Sequence, residues 1–291
     1  FSILIGVAGA ITYFLQSWSI PYLVGLILLL NLFYKFDWID PRNKAYGLNY
    51  WNKNERPSYT REGLQALCSN ENIEADKQNM YSILNTWKKK QDSENPLLVL
   101  INTSGGGHRS ATFTMSVLQH LDSLTNGSIF KKTFLINGAS GGMIGAAYFR
   151  ELFLRRQQGQ PINLQDKQYV ENIAGDLLNP LFTSFFARDL ISPAQKFSVG
   201  SYQYVKDRGY AFEQQLNSNT NGFLNKQLKD YVADEKAANI PLMFFNSVVT
   251  RDSRKMIICT QPVRFMMRAP QDTMNIPAVD PDAIDFTTFF A

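Results

Sequence analysis

Charge is missing from the first 34 residues of this 291-residue chain; its 29 basic and 25 acidic side chains all lie between Lys35 and Asp285. Cysteine is nearly missing too. Cys68 and Cys259 are too few for a metal cluster or a disulfide scaffold, and they read as two unpaired thiols of a reducing compartment, with a single disulfide as the alternative. Histidine occurs only at 108 and 120, so no histidine follows residue 120 to serve a later nucleophile. No G-K-[ST] string is present, which excludes a Walker phosphate loop. There is no internal repeat of fixed period and no low-complexity tract. The charged share of 19% lies below the globular average of about 25%. A net charge of +4 on this length makes no case for a nucleic-acid partner.

What the opening has instead of charge is apolar length. As a single helix, residues 1–34 would reach about 51 Å at ~1.5 Å per residue, against a hydrocarbon core of ~30 Å. The interruption QSWSIP divides them into helices over about 2–16 and 20–35, with Ser19 as the cap and Pro21 in the first turn of the second. A transmembrane helical hairpin over 1–35 follows. A secretory signal is the alternative, but it lacks a basic leader and a small-residue cleavage site here. Lys35, Arg42, Lys44, Lys53, Arg56 and Arg61 follow the second helix, interleaved with Trp38, Tyr46, Tyr50 and Trp51. Basic flanks stay inside and aromatic residues favour the headgroup level, so the expectation is a multi-pass membrane protein (inner membrane if bacterial). Residues 36–57 then form an interfacial linker and the rest faces the cytoplasm. The chain begins and stops inside apolar runs and reads as part of a longer protein.

Residues 58–291 read as one α/β domain. Thr60 caps a short helix to Leu67, and Met80, Ile83, Leu84 and Trp87 place an apolar stripe on a helix over 73–89. Lys88–Lys90 read as its solvated last turn, which complements the helix dipole. LLVLIN (97–102) is a continuous apolar run of the kind that forms a buried parallel strand, followed by glycines and a helical pattern over 109–123. TFLIN (133–137) repeats the sequence of strand, glycine turn and helix, the helix covering 141–157. Two such units predict a parallel-rich central sheet with helices on both faces, a three-layer arrangement. Helices over 166–178 and from 209 to 217, and strands over 240–249 and 255–260, complete the pattern. Leu177–Phe186 (LLNPLFTSFF) reads most simply as core, with a lid or a bilayer-contacting surface as alternatives.

The glycine turns carry the chemistry. Asn137-Gly138-Ala139-Ser140-Gly141-Gly142 satisfies G-x-S-x-G between a predicted strand and a predicted helix. An elbow of this type holds a serine in strained backbone at a helix N-terminus, where amides and dipole favour negative charge. A glycine-rich packing turn or a phosphate-binding turn is the alternative. The first turn, Ser104-Gly105-Gly106-Gly107-His108-Arg109-Ser110, exposes consecutive backbone amides to an oxyanion or a phosphate, and Arg109 adds a positive charge or braces the loop. The spacing approaches a dinucleotide fingerprint, but no acidic residue closes a following strand at the required distance. His108 belongs to the loop, and His120, late in a helix, reads as a surface residue.

Together, SGGGHRS (104–110) and GASGG (138–142), each after a strand, resemble the patatin-like phospholipases and their cytosolic phospholipase A2 relatives over about residues 96–260. The resemblance implies a patatin-like fold in which Gly105, Gly106 and Gly107 form an oxyanion hole, Arg109 is the loop arginine and Ser140 is the nucleophile of a Ser–Asp dyad. It implies a membrane-anchored acyl hydrolase of glycerophospholipids or lysophospholipids. Membrane lipids would be both substrate and anchor, with no cofactor and no metal. Ser104 stands where many patatins have aspartate, which matches the phospholipase A2 side of the family. One element departs from the family: no D-G-G, D-G-A or D-A-G follows Ser140. Asp282-Ala283-Ile284 is the nearest string and reads as loop entering a helix. The catalytic aspartate is therefore expected beyond Ala291. The alternative is a catalytically vestigial membrane-anchored scaffold or assembly subunit, with an oligomeric or membrane-protein partner.

Overall fold

The computed structural model describes residues 2–36, 44–50, 57–191, 195–267 and 281–290. The chain forms two compact units, one of residues 1–47 and 178–212, the other of residues 48–177 and 213–291. Much of the expected linker, with Trp38, Arg42, Trp51, Lys53 and Arg56, lies outside the described residues.

In the first unit, helices α1 (Ser2–Leu15) and α2 (Ser19–Lys35) are joined by a 3-10 turn, Gln16–Trp18. Gln16 takes a φ of 42°, a left-handed backbone that interrupts the helix where QSWSIP does in the sequence. Ser19 is not the expected cap. It is itself helical, and its hydroxyl donates backward to the Gln16 carbonyl at 2.7 Å. Thr12 and Asn31 likewise donate to the carbonyls four residues before them, so each polar side chain is satisfied within its own helix. The helical run Ile5–Phe33 has a mean hydropathy of 1.6 and none of it is buried, which makes it long and apolar enough to cross a membrane. The unit continues with α9 (Leu178–Ser184), a wide helical turn over 185–191, a hairpin of β3 (Lys196–Val199) and β4 (Tyr202–Val205), and the start of α10 (Arg208–Asn219). The core expectation for Leu177–Phe186 is overturned over most of its length. Leu178, Phe182 and Phe186 are exposed at helical spacing, and Leu177 and Ser184 are the buried members of the stretch. Tyr46 packs against Phe197 and Tyr204, and its hydroxyl donates to Asp207 at 2.9 Å, which fastens Lys44–Gly47 to the hairpin.

The second unit is an α/β domain. Its opening helices are α3 (Arg61–Leu67), capped by Thr60 as expected, and α4 (Asn70–Lys89), capped by Ser69. Strands β1 (Val99–Thr103), β2 (Thr133–Gly138), β5 (Leu242–Val248), β6 (Lys255–Ile258) and β7 (Ala283–Asp285) form one sheet in the order β1-β2-β5-β6-β7. β1, β2 and β5 run parallel, β6 returns antiparallel to β5, and β7 is parallel to β6. The connecting helices are α5 (Gly107–Leu124), α6 (Ser128–Lys132), α7 (Ser140–Gln157), α8 (Lys167–Ala174) and α11 (Val232–Lys236).

Alternate residues of the strands serve opposite layers. Ile136 and Met243 meet Met143, Phe149 and Phe153 of α7 in the larger core, while Leu242, Phe244 and Ile257 meet Ile83 of α4 on the other face. Phe130, Phe149 and Phe153 are almost fully buried, each ring contributing about 1.5–3 kcal/mol. Both cysteines are buried and neither forms a disulfide, and burial pushes the Cys259 thiol above its ordinary range.

Two expectations for the strands need correction. LLVLIN is parallel but not buried on both faces, because β1 lies at the sheet edge and leaves Leu97, Leu98 and Leu100 exposed. Ala283–Asp285 is a strand, not a helix entry, because its backbone pairs with Lys255–Ile257 of β6.

Candidate functional site

Parallel pairing sets the site. Asn102 stands opposite Asn137, and Thr103 opposite Gly138, so the chain leaves β1 and β2 at the same level and both glycine turns emerge side by side. Ala139 is still extended, with φ −143° and ψ 158°, and Ser140 then turns to φ 58° as α7 begins. Non-glycine residues rarely occupy this region, and holding one there costs about 1–3 kcal/mol. Ser140 is exposed, whereas Gly141, Gly142 and Met143 after it are buried. A strained strand-to-helix turn of the kind expected for G-x-S-x-G is therefore present, with an exposed serine as the first residue of the helix.

The glycines are dictated by close backbone approach. A Cβ on Gly141 would run into the Gly107 carbonyl oxygen, one on Gly142 into the Ser104 carbonyl, and one on Gly138 into Thr103. The Ser104–Gly107 loop thus lies directly against the elbow. Gly105 is nearest the serine: a Cβ there would stand 3.3 Å from Ser140 Cβ and 3.8 Å from its Oγ. Gly106 and Gly107 have φ of 141° and 60°, values that glycine adopts freely. Among the described residues, no acceptor pairs with the amides of Gly105, Gly106 or Gly107. The Ser110 hydroxyl donates to the Ser104 carbonyl at 2.7 Å and closes the loop on the first turn of α5.

His108 and Arg109 part ways. His108 Nε2 lies 2.6 Å from the Ile173 carbonyl, which fastens the loop to α8 and gives this histidine a structural task. Arg109 is exposed on the first turn of α5 and makes no ion pair among the described residues. His120 is exposed, as expected.

An asparagine row was missed from sequence. Asn137 Nδ2 donates to Asn102 Oδ1 at 2.9 Å; Asn246 Nδ2 donates to Asn137 Oδ1 at 2.8 Å and to the Gly138 carbonyl at 3.0 Å. Three neighbouring strands are thereby tied together under the elbow. The available signal was the repeated strand ending, LIN, LIN and FFN.

Among the described residues no acid, base or amide hydrogen-bonds to the Ser140 hydroxyl, and no group of histidine, cysteine and carboxylate side chains could hold a metal. Asp285 is not the missing base. It sits on β7, three strand spacings from β2, on the order of 14 Å away. Its Oδ2 accepts the Val263 amide at 2.8 Å, and its Oδ1 accepts the Thr287 amide and hydroxyl at 2.9 and 2.8 Å. Burial pushes its carboxyl above the ordinary range, and its work is to cap the turn that follows. Asp282 is exposed one residue before β7 and bonds through its carbonyl to Lys255.

Two stability changes test this construction. Ser140→Gly relieves the left-handed backbone and is expected to stabilise the fold by about 1 kcal/mol, raising the midpoint by about 2–4 °C. Gly141→Ala, facing the Gly107 carbonyl, is expected to destabilise by about 3 kcal/mol. Thermal denaturation of the full chain reads both, and equal midpoints for the three proteins would contradict the close approach.

Compared with protein-family models, with curated proteins and with solved structures, the chain has no match, and the site is read from its own geometry.

Proposed function

We propose that the chain is a membrane-anchored serine acyl hydrolase of patatin-like type, cleaving ester bonds of glycerophospholipids or lysophospholipids. The observation that carries this reading is the exposed Ser140 at φ 58°, with the Gly105–Gly107 strip against its side chain. In the proposed reaction Ser140 Oγ attacks the ester carbonyl and passes its proton to an aspartate supplied from outside the described residues. The carbonyl oxygen becomes an oxyanion held by the amides of Gly105, Gly106 and Gly107, where one lost donor costs about 10²–10³ in kcat. The alcohol leaves with the proton, and water then releases the fatty acid from Ser140. Arg109 meets the phosphate of the substrate.

The membrane part of the proposal is a two-helix hairpin broken at Gln16, with the α/β domain on the cytoplasmic side where the basic flank lies. The apolar helices, and the exposed Leu178, Phe182 and Phe186, support contact with the bilayer. Fatty-acid release from phosphatidylcholine and lysophosphatidylcholine vesicles by the full-length protein tests the reading. Release that depends on Ser140 supports it. Folded protein without release fits the scaffold alternative, which the lack of a partner for the Ser140 hydroxyl among the described residues favours.

A further inference from the structure

Residues 178–191 form one continuous helical run, α9 and the wide turn after it, and its two sides are unlike. One side is fastened within the first unit. Arg208 Cζ stands 5.7 Å from the Phe185 ring centroid, and Arg208 Nη1 lies 3.9 Å from Asp189 Oδ2. Arg188 Cζ stands 5.7 Å from the Tyr210 ring centroid, and Ser184 is buried.

The other side carries Leu178, Phe182 and Phe186, each four residues after the last, at 54%, 56% and 37% exposure. Asn179 and Thr183 are the exposed polar residues beside them, and residues 178–187 contain no charge of either sign. An apolar stripe of this kind facing outward marks a surface that something covers, since burying each of its side chains contributes about 1.5–3 kcal/mol.

The fastened side decides what that is. Tyr210, beneath Arg188, packs on Phe197 at 4.4 Å and on Tyr46 at 6.4 Å, and Tyr46 belongs to the segment that follows α2. From Phe36, directly after α2, to Lys44 the chain reaches about 29 Å at most, at ~3.6 Å per residue. Through Tyr210 and Tyr46 the stripe is therefore tethered close to the end of the helical run Ile5–Phe33, which is exposed along its length and apolar enough to cross a membrane. The bilayer that receives that run is an apolar surface already within reach, and no second one has to be brought.

We infer that residues 178–191 are an interfacial helix lying in the membrane plane, with Leu178, Phe182 and Phe186 inserted where phospholipid headgroups meet acyl chains. Such a helix buries its apolar face about 5–10 Å deep and leaves its polar residues, here Asn179 and Thr183, among the headgroups. The first unit then holds the bilayer twice, through the spanning helices and through this one. The inference rests on the membrane part of the reading above, adds a depth and an orientation to it, and is independent of the chemistry of Ser140.

The test places p-benzoylphenylalanine at Phe182 or at Leu28, in the middle of α2, in full-length protein reconstituted into phosphatidylcholine nanodiscs. Irradiation should join both positions to phospholipid, Phe182 to acyl carbons near the ester and Leu28 to carbons farther along the chain. Leu178→Ser combined with Phe186→Ser alters exposed side chains only. It should keep the thermal midpoint while lowering the lipid adduct at Phe182 by about 10-fold or more. Lipid adducts at Leu28 with none at Phe182 overturn the inference and leave the spanning helices standing. No lipid adduct at either position overturns the membrane reading together with the inference. A Phe182 adduct to a second copy of the chain, or a lipid yield indifferent to the double substitution, overturns the inference too.

Discussion

Ser140→Ala is expected to lower fatty-acid release by about 10⁴-fold or more while leaving the fold intact. Alanine keeps the Cβ that lies beside Gly105, so the elbow and the glycine strip stay where they are. Only the attacking oxygen is lost. The Ser110 hydroxyl does not replace it, because it is committed to the Ser104 carbonyl. The loss should fall on kcat with KM nearly unchanged, because the hydroxyl contributes to the reaction and little to holding the lipid. Ser110→Ala removes a loop hydrogen bond without removing the nucleophile, and a loss below about 10-fold is expected. Steady-state kinetics on the two variants separates the roles. Similar losses for both would assign Ser140 a structural role only.

Arg150→Met is expected to cost about 3–5 kcal/mol of stability, lowering the midpoint by on the order of 10 °C. Arg150 and Glu235 are buried to 2% and 1% exposure and pair directly, and Arg150 also donates to the Pro241 carbonyl at 2.9 Å. Beside them Glu151, fully buried, accepts from Arg155 at 2.6 Å, Lys226 at 2.8 Å and Tyr231 at 2.9 Å. These groups fix the middle of α7, the helix whose first residue is Ser140. Removing the guanidinium leaves Glu235 buried without its countercharge, and that uncompensated carboxylate is the source of the loss. Adding Glu235→Gln to Arg150→Met removes the stranded charge and should recover about half of the stability. Thermal denaturation of the single and double variants checks this, and a double variant no more stable than Arg150→Met would place the cost elsewhere.

The parts that were legible in the sequence are those in which local pattern and fold agree. LLVLIN and TFLIN followed by glycines gave two strand–turn–helix units because an apolar run and a glycine cluster each have few alternatives. G-x-S-x-G located the strained serine, since its glycines, Gly138 and Gly142, are residues that only close backbone approach demands. The parts that were not legible depend on partners distant in the chain. Position in the sheet is not written in a strand's own residues, so the exposure of Leu98 and Leu100 at the β1 edge went unread. β7 has three residues and owes its extended backbone to β6. Ser19 bonds backward because Gln16 takes the left-handed turn, an outcome a capping rule does not contain. The β3–β4 hairpin did leave a signal, since KFSV and YQYV flank Gly200-Ser201 with alternating aromatic positions. The asparagine row under the elbow is visible only once β5 is known to lie beside β2.

Fluorophosphonate labelling of the full-length protein in lipid nanodiscs tests the central claim most directly, because the probe reacts only with a serine that is both activated and open to solvent. The account predicts a single adduct on the peptide containing Ser140, absent from Ser140→Ala. Full-length protein that melts cooperatively yet leaves Ser140 unlabelled would contradict it.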